Sequence, residues 1–245
     1  MEITSLDNQH VKKVTSLHKK KYRDEYREFF IEGMKTIKEA IKYNKNIKTI
    51  FYNSKMIEYD LDILGIEVTK EVIAKMTDTS TPQGIVAVCE IPDYKLTKKE
   101  KLIYLDRFQD PGNVGTIIRT ADAFGFDGVL LSNGCADIYS PKVVRATMGS
   151  LFHLPIIQDV SVSYLESLNC KIYSSALDTK DFLDVSAIDT PFILVIGNEG
   201  QGISDEVRNI TDKFVKIDMP GNAESLNASI AAGILMYEFS KKNRG

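Results

Sequence analysis

Three short stretches of this chain combine glycine, asparagine and a charged side chain in the way a ligand pocket does. The first is Gln109-Asp110-Pro111-Gly112-Asn113-Val114-Gly115, with Arg119 four residues beyond its last glycine. Proline, two glycines and asparagine make a tight turn with free backbone N–H groups at a helix N-terminus, a natural seat for an anion. Arg119, one helical turn further on, is placed to reach a phosphate held there. Spacing alone also accommodates an ordinary surface arginine. The second stretch is Gly197-Asn198-Glu199-Gly200-Gln201-Gly202. Its GxxGxG spacing is neither the dinucleotide-binding GxGxxG nor a phosphate loop ending in GK[ST], although its glycines permit close backbone approach to a ligand. Glu199, held between glycines after a buried strand, is a candidate site carboxylate. The third stretch, Met219 to Asn227, runs into the last helix. Ser225 reads as that helix's capping residue. Asn227 falls in its first turn, where low helix propensity marks it as a functional candidate.

These loops specify a polar, glycine-lined pocket for a nucleotide-like ligand, with one arginine and one carboxylate beside it. The pattern lacks a Ser-His-Asp or Cys-His set and paired carboxylates, which argues against hydrolysis by those routes. Cys89, Cys135 and Cys170 form no CxxC pair and read as core thiols, while His10, His18 and His153 have no ligand spacing. No metal is expected.

The elements that must position these loops alternate along the chain. From Leu102 the order is LIYLDRF, a helix near 114–124, GVLLS, a helix from Pro141, LPIIQDV, a helix from Val162, KIYSSAL, FILVIG, a short helix near 204–210, FVKIDM and a long helix from Ser225. Such alternation predicts an α/β fold, a mostly parallel sheet with helices on both faces and ligands at the carboxyl ends of its strands. Ser140-Pro141 and Ser225 read as helix starts, and Lys241, Lys242 and Arg244 suit the last helix's C-terminal end. Ahead of this lies a β-α-β opening, FFIEGMKTIKEAIKYNKNIKTIFY, then Ile66–Val68, a helix-like Glu71–Asp78 and GIVAVC, which together make a small α/β unit of residues 1–92. The polar, lysine-rich residues 93–100 read as a linker and 101–245 as the second domain.

The chain has 245 residues, is 43% hydrophobic and 27% charged, and carries a net charge of −3, which excludes a disordered or uniformly basic chain. Positive charge gathers at the N-terminus: residues 1–55 hold 13 Lys/Arg against 7 Asp/Glu. The densest part, HKKKYRDEYR (His18 to Arg27), interleaves tyrosine with basic residues, a pattern for phosphate contact and base stacking, although i,i+4 pairing on a solvated helix face explains it equally well. The start, MEITSLDNQHVKK, has no apolar core of a signal peptide, and no stretch approaches the roughly 18 apolar residues of a membrane span. A cytoplasmic protein is the expectation.

DPGNVGTIIRTADAFGFDGVLLS, ILVIGNEGQGIS and IDMPGNAESLNASIAAGILMYEF resemble, in order and spacing, the three motifs of the SpoU (TrmH-like) RNA ribose 2′-O-methyltransferases of the SPOUT superfamily. YSPKVVRATMGSLFHLPI is also similar to that family, and residues 1–92 resemble the small substrate-binding domain that precedes its catalytic domain. The resemblance implies a deep C-terminal trefoil knot, S-adenosyl-L-methionine as cofactor, and a homodimer formed through the knotted domain. It implies that Gly197, Ile217, Leu226 and Ser175 contact the methyl donor. It also implies that Asn113, Arg119, Glu199, Ser225 and Asn227 serve catalysis and RNA phosphate binding. Asp218 departs from the family, which commonly has proline there. The implied substrate is RNA, with ribosomal RNA favoured over tRNA by the N-terminal extension. In such chemistry a 2′-hydroxyl attacks an activated methyl in line, and Arg119 stabilises the oxygen as its proton leaves. Two other classes fit less well. A non-catalytic RNA-binding or ribosome-assembly protein would not need Arg119, Asn113 and Glu199. A nucleotide-dependent oxidoreductase would need GxGxxG.

Overall fold

The computed structural model describes residues 2–77, 79–177 and 188–241. Its chain forms two compact units, Met1–Asp93 with Asp137–Phe152, and Tyr94–Ala136 with His153–Gly245.

The first unit is built on a four-stranded mixed sheet in the order β1-β4-β2-β3, from β1 (Glu28–Glu32), β2 (Ile47–Tyr52), β3 (Gly65–Glu67) and β4 (Ile85–Glu90). β4 runs antiparallel to both β1 and β2, so the two strands of the β-α-β opening are separated by it. Helices α1 (Gln9–Ser16), α2 (Lys20–Tyr26), α3 (Met34–Lys42) and α4 (Lys70–Met76) complete the unit. Val11, Val14 and Leu17 pack with Phe30, Phe51 and Met76 in one core. The basic, tyrosine-bearing run is divided between functions. Tyr22 and Tyr26 stack with centroids 6.0 Å apart. Arg23, by contrast, is buried: its Nη2 donates to Asp137 Oδ2 at 2.5 Å and its Nη1 to the Leu17 carbonyl at 2.6 Å. A buried guanidinium needs such partners, and Asp137 supplies the charge. The segment following Asp137 belongs to this unit for the same packing reason, since Phe29 of β1 meets Tyr139 and Phe152.

The second unit holds a six-stranded, wholly parallel sheet in the order β10-β8-β9-β5-β6-β7. The strands are β5 (Lys101–Asp106), β6 (Gly128–Leu131), β7 (Ile156–Ile157), β8 (Lys171–Ser175), β9 (Phe192–Gly197) and β10 (Lys213–Val215). β9 and β6 are buried at every position, as expected for parallel strands covered on both faces. Leu102, Tyr104, Ile193 and Val195 pack with Leu165 and Leu168 of helix α7 (Val162–Ser167) and its C-cap and with Val207 of α8 (Asp205–Asn209). Helix α5 (Pro111–Ala123) packs against α9 (Ala228–Ser240). The two run parallel: Asn113 meets Asn227, Thr120 lies by Gly233, and Phe124 lies by Tyr237.

Several sequence expectations about helix ends are corrected. Helix α5 begins at Pro111, so Gly112 and Asn113 are in its first turn, and Asp110 caps it by accepting from the Asn113 N–H at 2.8 Å. That carboxylate occupies the position read as an anion seat. Helix α9 begins at Ala228, not Ser225. Asn227 is its N-cap, accepting from the Ser229 and Ile230 N–H groups at 2.9 and 3.3 Å, because a side-chain carbonyl reaches those orphan donors as well as a serine would. Ser225 lies exposed in the preceding loop. Ser140 stands at the N-cap of α6 (Pro141–Thr147) without a capping hydrogen bond from its side chain. Of the thiols only Cys89 is fully buried, and burial pushes it up to about 12. Asp78, Lys242 and Arg244 lie outside the described residues.

Candidate active site

The three loops picked out by composition meet at the carboxyl edge of the parallel sheet. β5 and β9 are adjacent and in register from Lys101/Phe192 to Asp106/Gly197, so the loops leaving them emerge side by side. In the glycine loop, Asn198 and Gly202 exchange two backbone hydrogen bonds of 2.9 Å, and Asn198 Oδ1 accepts from the Gly200 and Gln201 N–H groups. This folds the loop back so tightly that a Cβ at Gly197 would lie 2.5 Å from the Gly202 carbonyl carbon and 2.6 Å from Ile203 N. Glycine at 197 is therefore required by close backbone approach.

A cavity of about 470 Å³ opens against this loop. Gly197, Ile217, Leu226 and Ser175 all line it, the four positions the family resemblance assigned to the methyl donor. Glu199, Ser225 and Asn227 line it too. Asn113 joins from outside: its Nδ2 donates to Glu199 Oε1 at 3.1 Å, and its Oδ1 accepts from Asn227 Nδ2 at 3.2 Å. One residue from each of the three loops thus forms a single hydrogen-bonded chain. Ser225 contributes a lining surface without joining it. Arg119 is not drawn in. It sits exposed on α5, outside the cavity lining, and its side chain has no hydrogen-bond or ion-pair partner among the described residues.

The sequence reading missed the group beneath the loop. Asp106, at the end of β5, is 2% exposed, and its Oδ2 accepts from the Ser204 N–H at 2.6 Å. Arg107 follows with a left-handed φ of 57° and contacts both Gln201 and Gly202. The only sequence signal was a charged pair closing an otherwise apolar strand. Cys135 is adjacent, but burial raises its thiol above the ordinary value and its Sγ donates to the Leu105 carbonyl at 3.3 Å, which is the state of a structural thiol and not a nucleophile. Among the described residues no group of three His, Cys, Asp or Glu side chains is placed to hold a metal, and no helix is long and apolar enough to cross a membrane.

The second unit is thus a parallel α/β domain with a glycine-walled cavity at its carboxyl edge, lined in part by its last helix. Residues 100–237 match the model of the SpoU rRNA Methylase family, and residues 8–87 match the MRM3-like substrate binding domain. The chain belongs to the SpoU rRNA Methylase family. It is 38% identical to a 23S rRNA (guanosine-2′-O)-methyltransferase of Bacillus subtilis over 96% of this chain and 98% of that one. It is 33% identical to a 23S rRNA (uridine-2′-O)-methyltransferase of Streptomyces viridochromogenes, over 86% of this chain and 82% of that one. The solved structure of an AdoMet-bound rRNA methyltransferase from Sinorhizobium meliloti superposes with a TM-score of 0.87 at 34% identity, covering 100% of this chain and 99% of that chain.

Proposed function

We propose that this chain is an S-adenosyl-L-methionine-dependent methyltransferase acting on a ribose 2′-hydroxyl of 23S ribosomal RNA. The observation that carries the reading is the cavity of about 470 Å³ whose wall is the folded-back glycine loop, in a chain that aligns end to end with an AdoMet-bound rRNA methyltransferase. Its volume and its mix of apolar side chains with backbone polar groups fit a nucleoside-sized cofactor, and the missing Cβ at Gly197 leaves backbone free to approach it. When bound, S-adenosylmethionine supplies a methyl group already activated on a sulfonium sulfur.

The chain's own residues then have separable tasks. Gly197, Ile217, Leu226 and Ser175 hold the donor. Glu199, fixed by Asn113, and Asn227 with Ser225 frame the mouth where the 2′-hydroxyl enters. Arg119 supplies positive charge to the oxygen as it loses its proton. A guanidinium does not give up its own proton at neutral pH, so its part is electrostatic.

Residues 1–92, together with Asp137–Phe152 that packs into the same unit, serve as the RNA-binding domain, with 93–100 as a linker and the rest of 101–245 as the methyltransferase domain. The enzyme works as a homodimer through the C-terminal domain. That reading is supported by α9, where Ile230, Ile234 and Tyr237 are exposed at 56%, 38% and 42% on one stripe. The C-terminal path is a trefoil knot, a reading supported by the return of the chain from the edge strand β10 to the centre of the sheet's carboxyl edge, where Asn227 meets Asn113. The protein acts in the cytoplasm, where its ribosomal RNA substrate is assembled.

Transfer of labelled methyl from S-adenosylmethionine into unmodified 23S rRNA and, separately, into tRNA tests this, with the position read by ribose-methyl mapping. Label at one ribose of 23S rRNA is the expected result. Label in tRNA alone would overturn the substrate, and absence of donor binding by calorimetry would overturn the activity.

A further inference from the structure

We infer that Arg107 is a positioning residue for methyl-donor binding, acting by clasping the glycine loop from beneath; the inference rests on the function proposed above. Two separate roles meet at this residue. Its backbone makes the turn out of β5 in a left-handed conformation, φ 57°. The N–H donates to Ser132 Oγ at 2.7 Å and the carbonyl accepts from Asn198 Nδ2 at 2.8 Å. Glycine adopts that conformation at no steric cost, whereas an L side chain is strained in it. The backbone role alone therefore does not account for an arginine.

The side chain accounts for it. Nη1 donates to Gln201 Oε1 at 3.1 Å, Nη2 to the Gly202 carbonyl at 3.3 Å and Nε to Asp106 Oδ1 at 3.3 Å. Asp106 in turn takes the Ser204 N–H. The planar fork of one guanidinium thus joins a buried carboxylate on β5 to two consecutive loop residues, a geometry that a lysine ammonium cannot reproduce. Gln201 and Gly202 both line the donor cavity, while Arg107 does not. The guanidinium touches the loop and not the ligand space, and so acts through the loop. Together with Asn113 on Glu199, it means that the end of β5 and the first turn of α5 hold the glycine loop at both halves. A wall fixed in advance spares the donor the cost of ordering it, so the benefit falls on affinity more than on the chemical step.

Arg107→Gly separates the two roles, because it keeps the left-handed turn and its two backbone hydrogen bonds while removing only the fork. Donor affinity is measured by calorimetry with S-adenosylmethionine, turnover by labelled methyl transfer and folding by thermal melting. For Arg107→Gly the donor dissociation constant and KM are expected to rise about tenfold, the scale of one lost charge-assisted hydrogen bond. The fall in kcat at saturating donor is expected to stay below about threefold. Losing the guanidinium leaves the buried Asp106 carboxylate with only the Ser204 N–H among the described residues, so the melting temperature is expected to fall by a few degrees despite the relief of strain in the turn. Arg107→Lys, which retains one donor, should fall between the two. Unchanged donor affinity in Arg107→Gly would overturn the clasp, as would a fall in kcat at saturating donor as large as the rise in the dissociation constant, which marks a merely structural residue. If the unmodified protein itself binds no donor, the functional reading fails and the clasp fails with it, a result distinct from either of the others.

Discussion

Asn227 caps helix α9 with its side-chain carbonyl and, from the amide nitrogen of the same group, donates to Asn113 Oδ1 at 3.2 Å. One amide therefore starts the last helix and ties it to the first turn of α5, which in turn holds Glu199. The two halves of that amide can be separated by substitution. Asn227→Ala removes both and should destabilise the protein by about 1 kcal/mol through loss of the cap. Asn227→Asp keeps the capping oxygen but sets a carboxylate against the Asn113 carbonyl. It should therefore retain the parent's denaturant midpoint while methyl transfer falls. Equal activity in the parent and Asn227→Asp would show that the tie to Asn113 plays no part in the reaction.

Gly197 tolerates no side chain. With a Cβ 2.5 Å from backbone carbon, the loop must open to accept Gly197→Ala, and backbone has no rotamer into which to move. Donor binding should weaken by about five- to a hundredfold, since the cost of forcing apart a packed site is typically about 1–3 kcal/mol and here falls on the ligand's own wall. Calorimetry with S-adenosylmethionine checks this, and wild-type affinity in the variant would mean that the donor does not lie against Gly197.

Arg119 carries the electrostatic part of the proposed chemistry and stands apart from the cavity wall. Arg119→Ala should abolish methyl transfer while leaving donor affinity within about tenfold, roughly 1.4 kcal/mol. Its exposed position predicts an unchanged melting temperature. Normal turnover by this variant would remove Arg119 from the reaction.

Arg23 is a basic residue that sequence alone groups with the RNA-facing run, yet its side chain is 4% exposed and paired with Asp137, itself 12% exposed. Arg23→Ala leaves a buried carboxylate and the Leu17 carbonyl without their partner and should cost about 3–5 kcal/mol in urea denaturation. Lys20→Ala and Lys21→Ala, on the exposed side of the same short helix, should leave stability unchanged. If Lys20 and Lys21 touch RNA phosphate, their removal should also flatten the dependence of RNA affinity on salt, read by filter binding across a salt series.

Alternation of strand and helix patterns made the parallel sheet of the second unit legible, because a strand buried on both faces must be apolar throughout and the helix between two such strands must be amphipathic. The glycine loops were legible for a similarly local reason. Close approach and sharp turning restrict a few positions to glycine, asparagine and proline whatever the rest of the chain does. Helix starts were less legible. Ser225 and Asn227 are both good caps by type, and the choice of Asn227 depended on where α9 could lie against α5.

What the sequence by itself determined is the inventory, the class of fold and the three loops, to which the family resemblance added the cavity-wall positions Ile217, Leu226 and Ser175. Tertiary structure alone decided the connections. Asn113, Glu199 and Asn227 are far apart in the chain and carry no local signal that they will share hydrogen bonds; β5 in register beside β9 brings Asn113 to Glu199, and α9 packed on α5 brings Asn227 to Asn113. The same register places Arg107 under a loop more than ninety residues away and makes it a clasp. Burial of Arg23 likewise depends on Asp137 arriving from the middle of the chain. Propensity and spacing act over a few residues, whereas pairing across a sheet and the burial of a charge are settled only by which distant segments pack together.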